Sequence, residues 1–146
     1  MKQTEFNIEE NLKDIMKRVK WVKDTKNVLF KEELRLSVPL LHDLSLVGNI
    51  YDLFISYHKG KTFRNVRKQF IFVVLYFFSP SALGGMKMRR GLRDKIADVL
   101  QCTASNVSHD YGNVGFFYTR YKNFRNEVNA TIERMLVDLG LKKEED

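Results

Sequence analysis

Apolar residues recur every three to four positions through most of this chain, a spacing that predicts a protein built of helices. Ile8, Leu12, Ile15, Val19 and Val22 share one face with Lys and Glu between them, giving an amphipathic helix over Ile8–Val22. The polar run Asp24–Asn27 is expected to break it. Val28–Val38 reads as either helix or extended chain, because LRLSV alternates. Pro39 biases Val38 away from the helical region and suits the opening of a next helix, Leu40–Tyr57. Its core candidates are Leu40, Leu41, Leu44, Val47, Ile50, Leu53, Phe54 and Tyr57.

Beyond a turn at Lys59-Gly60-Lys61, Thr62 is placed to cap a helix over Phe63–Phe78, basic in its first half and apolar on all sides in its second. Such a helix enters the core end-on and leaves Arg64, Arg67 and Lys68 near its exposed start. Ser79-Pro80-Ser81 stops it, and Gly84-Gly85 marks a loop. Two short helices follow, Leu92–Leu100 and one beginning at Ala104, separated by a turn at Gln101–Thr103. A long last helix carries Val114, Phe117, Tyr121, Phe124, Val128, Thr131 and Met135, spaced as a buried stripe or a coiled-coil seam. Gly140 ends it, ahead of the acidic tail over 141–146. The pattern predicts an all-α, single compact domain of about six helices, with the N-terminal helices packed against Phe63–Phe78.

Composition narrows the class. A hydrophobic share of 44% over 146 residues is enough for one core. The lone Cys102 excludes an intramolecular disulfide framework and a cysteine zinc cage. The polar start MKQTEFNIEENLKD has no signal-peptide core, and the longest apolar run, Phe70–Phe78, falls short of the roughly twenty residues a membrane span needs. A cytoplasmic protein with no membrane partner is the expectation.

Charge placement says more than the net value of +7. Between Lys59 and Lys95 lie ten Lys and Arg residues against the single acid Asp94, an excess of nine that exceeds the whole-chain charge. A local excess of this kind is the footprint of a polyanion partner, although a solvated charged face looks similar.

At the edge of that stretch the sequence runs RDKIADVLQCTASNVS from Arg93 to Ser108. Ile96, Leu100, Cys102 and Val107 are positioned to lock two helices together, Ala97 is a small residue where they cross, and Thr103 is an N-cap. The segment Arg93–Tyr111 resembles the helix-turn-helix family of DNA-binding regulators of bacteria and phages, in a module of about 87–128. It departs from the family pattern twice. The turn residue that is usually glycine is Gln101, and the apolar residue expected three positions after Val107 is Asp110; either the second helix ends early or Tyr111 substitutes.

The resemblance implies double-stranded DNA as partner. Thr103, Ala104, Ser105, Asn106, Ser108 and His109 would face the bases, Asn being able to pair bidentately with adenine. Lys61, Arg64, Lys87, Arg89, Arg90, Arg93 and Lys95 would hold phosphates. A homodimer would read two half-sites about one helical turn apart. A wider likeness, over Phe70–Val128, is to small uncharacterised DNA-binding proteins of phages and mobile elements, with Tyr118, Tyr121, Phe124 and Arg125 as shared features. A looser analogy is to the DNA-binding domain of the bacterial replication initiator.

Other chemistries have little footing. Ser108-His109-Asp110 holds triad residue types, but neighbours on a helix diverge by about 100°. His42, His58 and His109 lack ligand spacing with each other or with Cys102, and Gly84-Gly85 lacks the Lys-Ser/Thr of a phosphate loop. No enzyme, cofactor, metal or small-molecule substrate is expected. A small basic assembly or genome-associated protein of a virus particle is the alternative. A third reading is RNA binding, with Phe116, Phe117, Tyr118 and Tyr121 as stacking surfaces.

Overall fold

The computed structural model describes residues 7–62 and 64–143. The described residues form seven α-helices and two short 3-10 turns and contain no strand, an all-α fold. The chain divides into two units, Met1–Leu36 and Ser37–Asp146.

The first unit is one helix, α1 (Ile8–Leu36). Asn7 Oδ1 accepts from the Glu10 N–H at 3.1 Å and so caps its start. Pairs one turn apart, Glu9–Lys13 at 3.2 Å and Asp14–Arg18 at 3.0 Å, lace its surface. The expected break at Asp24–Asn27 is absent. Asp, Thr, Lys and Asn each cost a helix no more than about 0.7 kcal/mol relative to Ala, and no Gly or Pro stands there to stop it. The same helix resolves the ambiguous stretch as helical through Leu36. None of its residues is buried.

The second unit is built around α3 (Val66–Phe78). Gln69 to Phe78 are all buried except Tyr76, as expected for a helix apolar on every side. Around it pack α2 (Val47–Tyr57), α4 (Leu92–Leu100), α5 (Ala104–Tyr111), α6 (Val114–Arg120) and α7 (Lys122–Asp138). Each fully buried Phe or Leu contributes about 1.5–3 kcal/mol. Tyr51 and Phe54 of α2 meet Phe70 edge-on, with ring centroids 5.1 and 5.5 Å apart, so α2 supplies the N-terminal packing expected on α3.

Three boundaries differ from expectation. Leu40–Asp43 is not helical: the Leu41 N–H donates to the Phe77 carbonyl at 2.9 Å, and Asp43 caps a 3-10 turn over Leu44–Leu46 by accepting from the Ser45 N–H at 2.9 Å. The Ser45 hydroxyl also donates to the Asp43 carboxylate, at 2.7 Å, and this bond first, then the one from the Ser45 N–H, holds the Asp43 carboxyl below the usual range. Helix α3 begins at Val66, with Asn65 rather than Thr62 at its N-cap; Phe63 lies outside the described residues.

The third difference is that the long C-terminal helix is two helices. Tyr121 adopts an extended conformation (φ −108°, ψ 110°) between α6 and α7. The carbonyls freed there are taken by Arg125, whose Nη1 donates to Tyr118 O at 3.4 Å and Thr119 O at 3.2 Å. Past the break, Phe124, Val128, Thr131 and Met135 are buried, so this stripe is core and not a seam for a second chain. Gly140 ends α7 with φ 72°, as expected. Gly115 is needed for a different reason: a Cβ there would lie 2.9 Å from the Leu83 carbonyl, so only glycine lets α6 press against the 3-10 turn Pro80–Gly84.

Between α2 and α7 the Tyr57 hydroxyl donates to the Asp138 carboxylate, and the Arg134 guanidinium lies 4.0 Å from the Tyr57 ring centroid. Burial, then the hydrogen bond and charge of Asp138, push the phenol's pKa well above its usual value, with Arg134 opposing. A raised folded pKa means that the contribution is complete below about pH 10 and is lost as pH rises beyond it. Spectrophotometric titration is expected to show one late-ionising tyrosine that disappears in Tyr57→Phe, a variant destabilised by about 1 kcal/mol.

Candidate nucleic-acid interface

Helices α4 and α5 are joined by three residues, and the turn explains its own sequence. Gln101 sits in the left-handed region (φ 54°, ψ 45°). The Cys102 N–H reaches back to the Ala97 carbonyl at 3.0 Å and the Gln101 N–H to the Asp98 carbonyl at 3.2 Å, the paired bonds of a Schellman cap. Thr103 is extended, and its Oγ1 accepts from the Asn106 N–H at 3.1 Å to cap α5. Ile96, Ala97 and Val107 are buried, with Leu100 and Cys102 packed at their edge. A glycine at 101 would relieve the left-handed strain. Gln101→Gly is therefore expected to stabilise the fold by about 0.5–1 kcal/mol, read as a raised midpoint in thermal or urea unfolding.

Asp110, where an apolar residue was expected, is 1% exposed. Helix α5 does not end early; it runs on to Tyr111. The Asp110 carboxylate pairs with Arg67 and, at 3.2 Å, with Lys68 Nζ, both on α3. An ion pair thus does what an apolar contact was expected to do, fixing α5 to the central helix. Tyr111 contributes beside it, its hydroxyl donating to the Met86 carbonyl. Arg67 and Lys68 are to that extent internal counter-charges, removed from the basic excess.

Of the remaining cations, four line one cleft and Arg64 lines a second groove, while Lys61 and Lys95 stand apart from both. Lys87, Arg89, Arg90 and Arg93 line a cleft of about 360 Å³ together with Asp94, Ser108 and Tyr111. The Arg89 N–H donates to Ser79 Oγ at 3.1 Å, while its guanidinium Nη1 is buried without a partner. Arg93 Nη1 donates to Ser108 Oγ at 3.3 Å, joining this cleft to α5. On α5, Ser105, Asn106 and His109 are exposed and Ala104 is half-buried; Thr103 is exposed but its oxygen is committed to the cap. Lys95 lies instead within electrostatic reach of Asp43 and does not line the cleft. Lys61 is exposed in the loop after α2.

Arg64 belongs to a second, larger groove of about 900 Å³, at the start of α3 and the α6–α7 break. There it joins Arg120 and Lys122, which sequence reading passed over, with Phe117, Tyr121 and Glu127. The only trace in the sequence was basic residues set among aromatics in FFYTRYKNF, a pattern that core packing also produces. At the floor, Gln69 is 1% exposed, and its Nε2 donates to Arg64 O at 3.2 Å and to Glu127 Oε2 at 2.5 Å. Its carbonyl Oε1 is buried with no partner. A buried polar atom left unpaired costs about 1–3 kcal/mol.

Fold and site together define an all-α protein in which two short helices, joined by a three-residue turn, border a cationic cleft. Comparison with protein-family models, with curated proteins and with solved structures finds no match to this chain. Among the described residues no helix is long and apolar enough to cross a membrane, and no cluster of His, Cys, Asp and Glu has the makings of a metal site.

Proposed function

We propose that this protein binds double-stranded DNA sequence-specifically, as a transcriptional regulator of the kind that phages and mobile elements carry. The observation that carries the reading is the contact between Arg93 and Ser108, which couples the Lys87–Arg93 cations to the exposed polar face of α5. Phosphates would occupy the cleft lined by Lys87, Arg89, Arg90 and Arg93, and Ser105, Asn106 and His109 would meet base edges. Fluorescence anisotropy with random duplex at low and moderate salt tests it. Micromolar binding with a steep salt slope supports the reading, and no binding at low salt overturns it.

Base reading has its own test. Asn106→Ala is expected to lower discrimination between the preferred site and random duplex by about tenfold while non-specific binding stays close to that of the parent. An equal loss on every sequence would remove α5 from base reading.

Helix α1 favours a second copy as an additional partner. Ile8, Leu12, Ile15, Val19 and Val22 alternate steps of four and three, Leu29 and Leu36 continue the same heptads, and all stay exposed. Lys26 and Glu33 hold the two remaining core positions. A parallel pair would stack each against its own like charge; an antiparallel pair sets Val19 against Val22 and Leu12 against Leu29 of the other copy. Sedimentation as a dimer supports this assignment. A monomer removes it, and large oligomers favour the alternative, a structural protein packaged beside a genome.

A further inference from the structure

We infer that the groove at the α6–α7 break is a nucleotide site, separate from the duplex-binding cleft, and that guanine is the base it fits. Three independent features converge there. The first is a set of anion donors: Arg64, Arg120 and Lys122 line the groove, with Glu127 as the one carboxylate among the lining residues.

The second is the start of α7, a helix of seventeen residues whose N-cap, Tyr121, provides no side-chain cap. The residues of its first turn, Lys122, Asn123 and Phe124, all line the groove. Their N–H groups precede the first intrahelical bond, which Arg125 makes to the Tyr121 carbonyl at 3.0 Å. Free N–H groups and the positive end of the helix dipole, with Arg120 and Lys122 beside them, are what a phosphate takes.

The third is Gln69. Its two neighbours at the amide nitrogen, the Arg64 carbonyl and the Glu127 carboxylate, can only accept. The orientation of the amide is thereby fixed, and the buried carbonyl is necessarily the end left without a donor. Nothing in the groove's phosphate chemistry needs such an acceptor; a ligand with N–H groups does. Glu127 keeps further acceptor capacity beside it. Two adjacent acceptors match the ring N–H and amino group of guanine, whereas adenine offers one amino group and uracil one N–H. Tyr121 also lines the groove; it is 48% exposed, and its ring, which meets Phe116 and Phe117 edge-on at centroid distances of 6.2 and 5.1 Å, can stack a base on its exposed side. The groove's volume lies within the range that small ligands occupy.

A guanine nucleotide presents the same chemistry free in solution or at the end of a strand. Calorimetry with guanosine monophosphate, adenosine and uridine monophosphates, inorganic phosphate and a short single strand ending in guanosine phosphate separates these sources. Saturable binding is expected for the guanine mononucleotide, the guanine-ended strand or both, with uridine monophosphate and phosphate each weaker by at least tenfold. Arg120→Ala combined with Lys122→Ala changes two exposed side chains and is expected to weaken that binding at least tenfold. Gln69→Met, close in size but without the acceptor and without a second carboxylate against Glu127, is expected to retain folding by circular dichroism and to lower guanosine monophosphate binding toward that of uridine monophosphate.

Binding of phosphate, or of adenosine or uridine monophosphate, as tight as that of guanosine monophosphate, or no binding by any probe, overturns the inference. So does binding that the Arg120/Lys122 variant leaves unchanged. Neither residue belongs to the duplex-binding set, so this variant should bind random duplex as the parent does, and failure of the two readings can be told apart.

Discussion

Replacing Arg89 and Arg90 with alanine is expected to weaken binding to every duplex alike, by on the order of a hundredfold at low salt, and to reduce the salt slope by about 0.9 per lost phosphate contact. The cause is counterion release, which depends on the number of phosphates neutralised and not on base sequence. Arg90 is exposed and Arg89 half-buried at the cleft. The hydrogen bond that anchors this stretch to Ser79 comes from the Arg89 backbone, so alanine retains it. Folding should therefore survive, which circular dichroism would verify. Anisotropy titrations across a salt series check the effect. A loss confined to one preferred sequence, with the slope unchanged, would move these arginines from phosphate contact to base reading.

The second large effect concerns stability. Asp110→Ala is expected to destabilise the second unit by about 2–4 kcal/mol, lowering its melting temperature by on the order of 10 °C. Removing the buried carboxylate leaves Arg67 and Lys68 facing one another across an emptied space. The figure stays below that of a fully interior pair because Arg67 is 44% exposed and can turn to water. Asp110→Leu gives the complementary result. It restores the apolar residue that the helix-turn-helix pattern expects, and should recover part of the loss if Lys68 can leave the core. Thermal unfolding of the two variants beside Arg67→Ala separates these contributions. Asp110→Ala with an unchanged melting temperature would mean that α5 is held by Val107 and Tyr111 alone. Loss of this anchor should also lower duplex affinity, since α5 would no longer be fixed beside Arg93.

Much of the fold was legible because periodicity and burial have the same cause. The all-round apolar run of α3 had to be interior, and the Phe124–Met135 stripe had to be covered, by the chain's own core or by a second chain. The turn between α4 and α5 was readable residue by residue: a small Ala97, an apolar Val107, a capping Thr103. Even the anomaly at Gln101 was visible, since a position that favours glycine carries its strain openly when another residue stands there. Boundaries were less legible. Asp24–Asn27 looks like a break but carries no prohibition of helix, whereas the break at Tyr121 has no Gly or Pro and depends on Arg125 reaching back to two carbonyls.

The candidate sites divide along the same line. Cations adjacent in sequence, from Lys87 to Arg93, were bound to share a surface. That Arg67 and Lys68 would be spent on Asp110, 42 residues beyond Lys68, was not, nor that Arg64 would meet Arg120 and Lys122 across a groove. By itself, then, the sequence determined helicity, the central helix, the short helical pair and the position of the positive charge, because each follows from local spacing and composition. The tertiary structure alone decided which cations face solvent, which neutralise a buried acid, and where Gln69 is left with an unpaired carbonyl. Those outcomes depend on distances between residues far apart in the chain, and local periodicity carries no information about them.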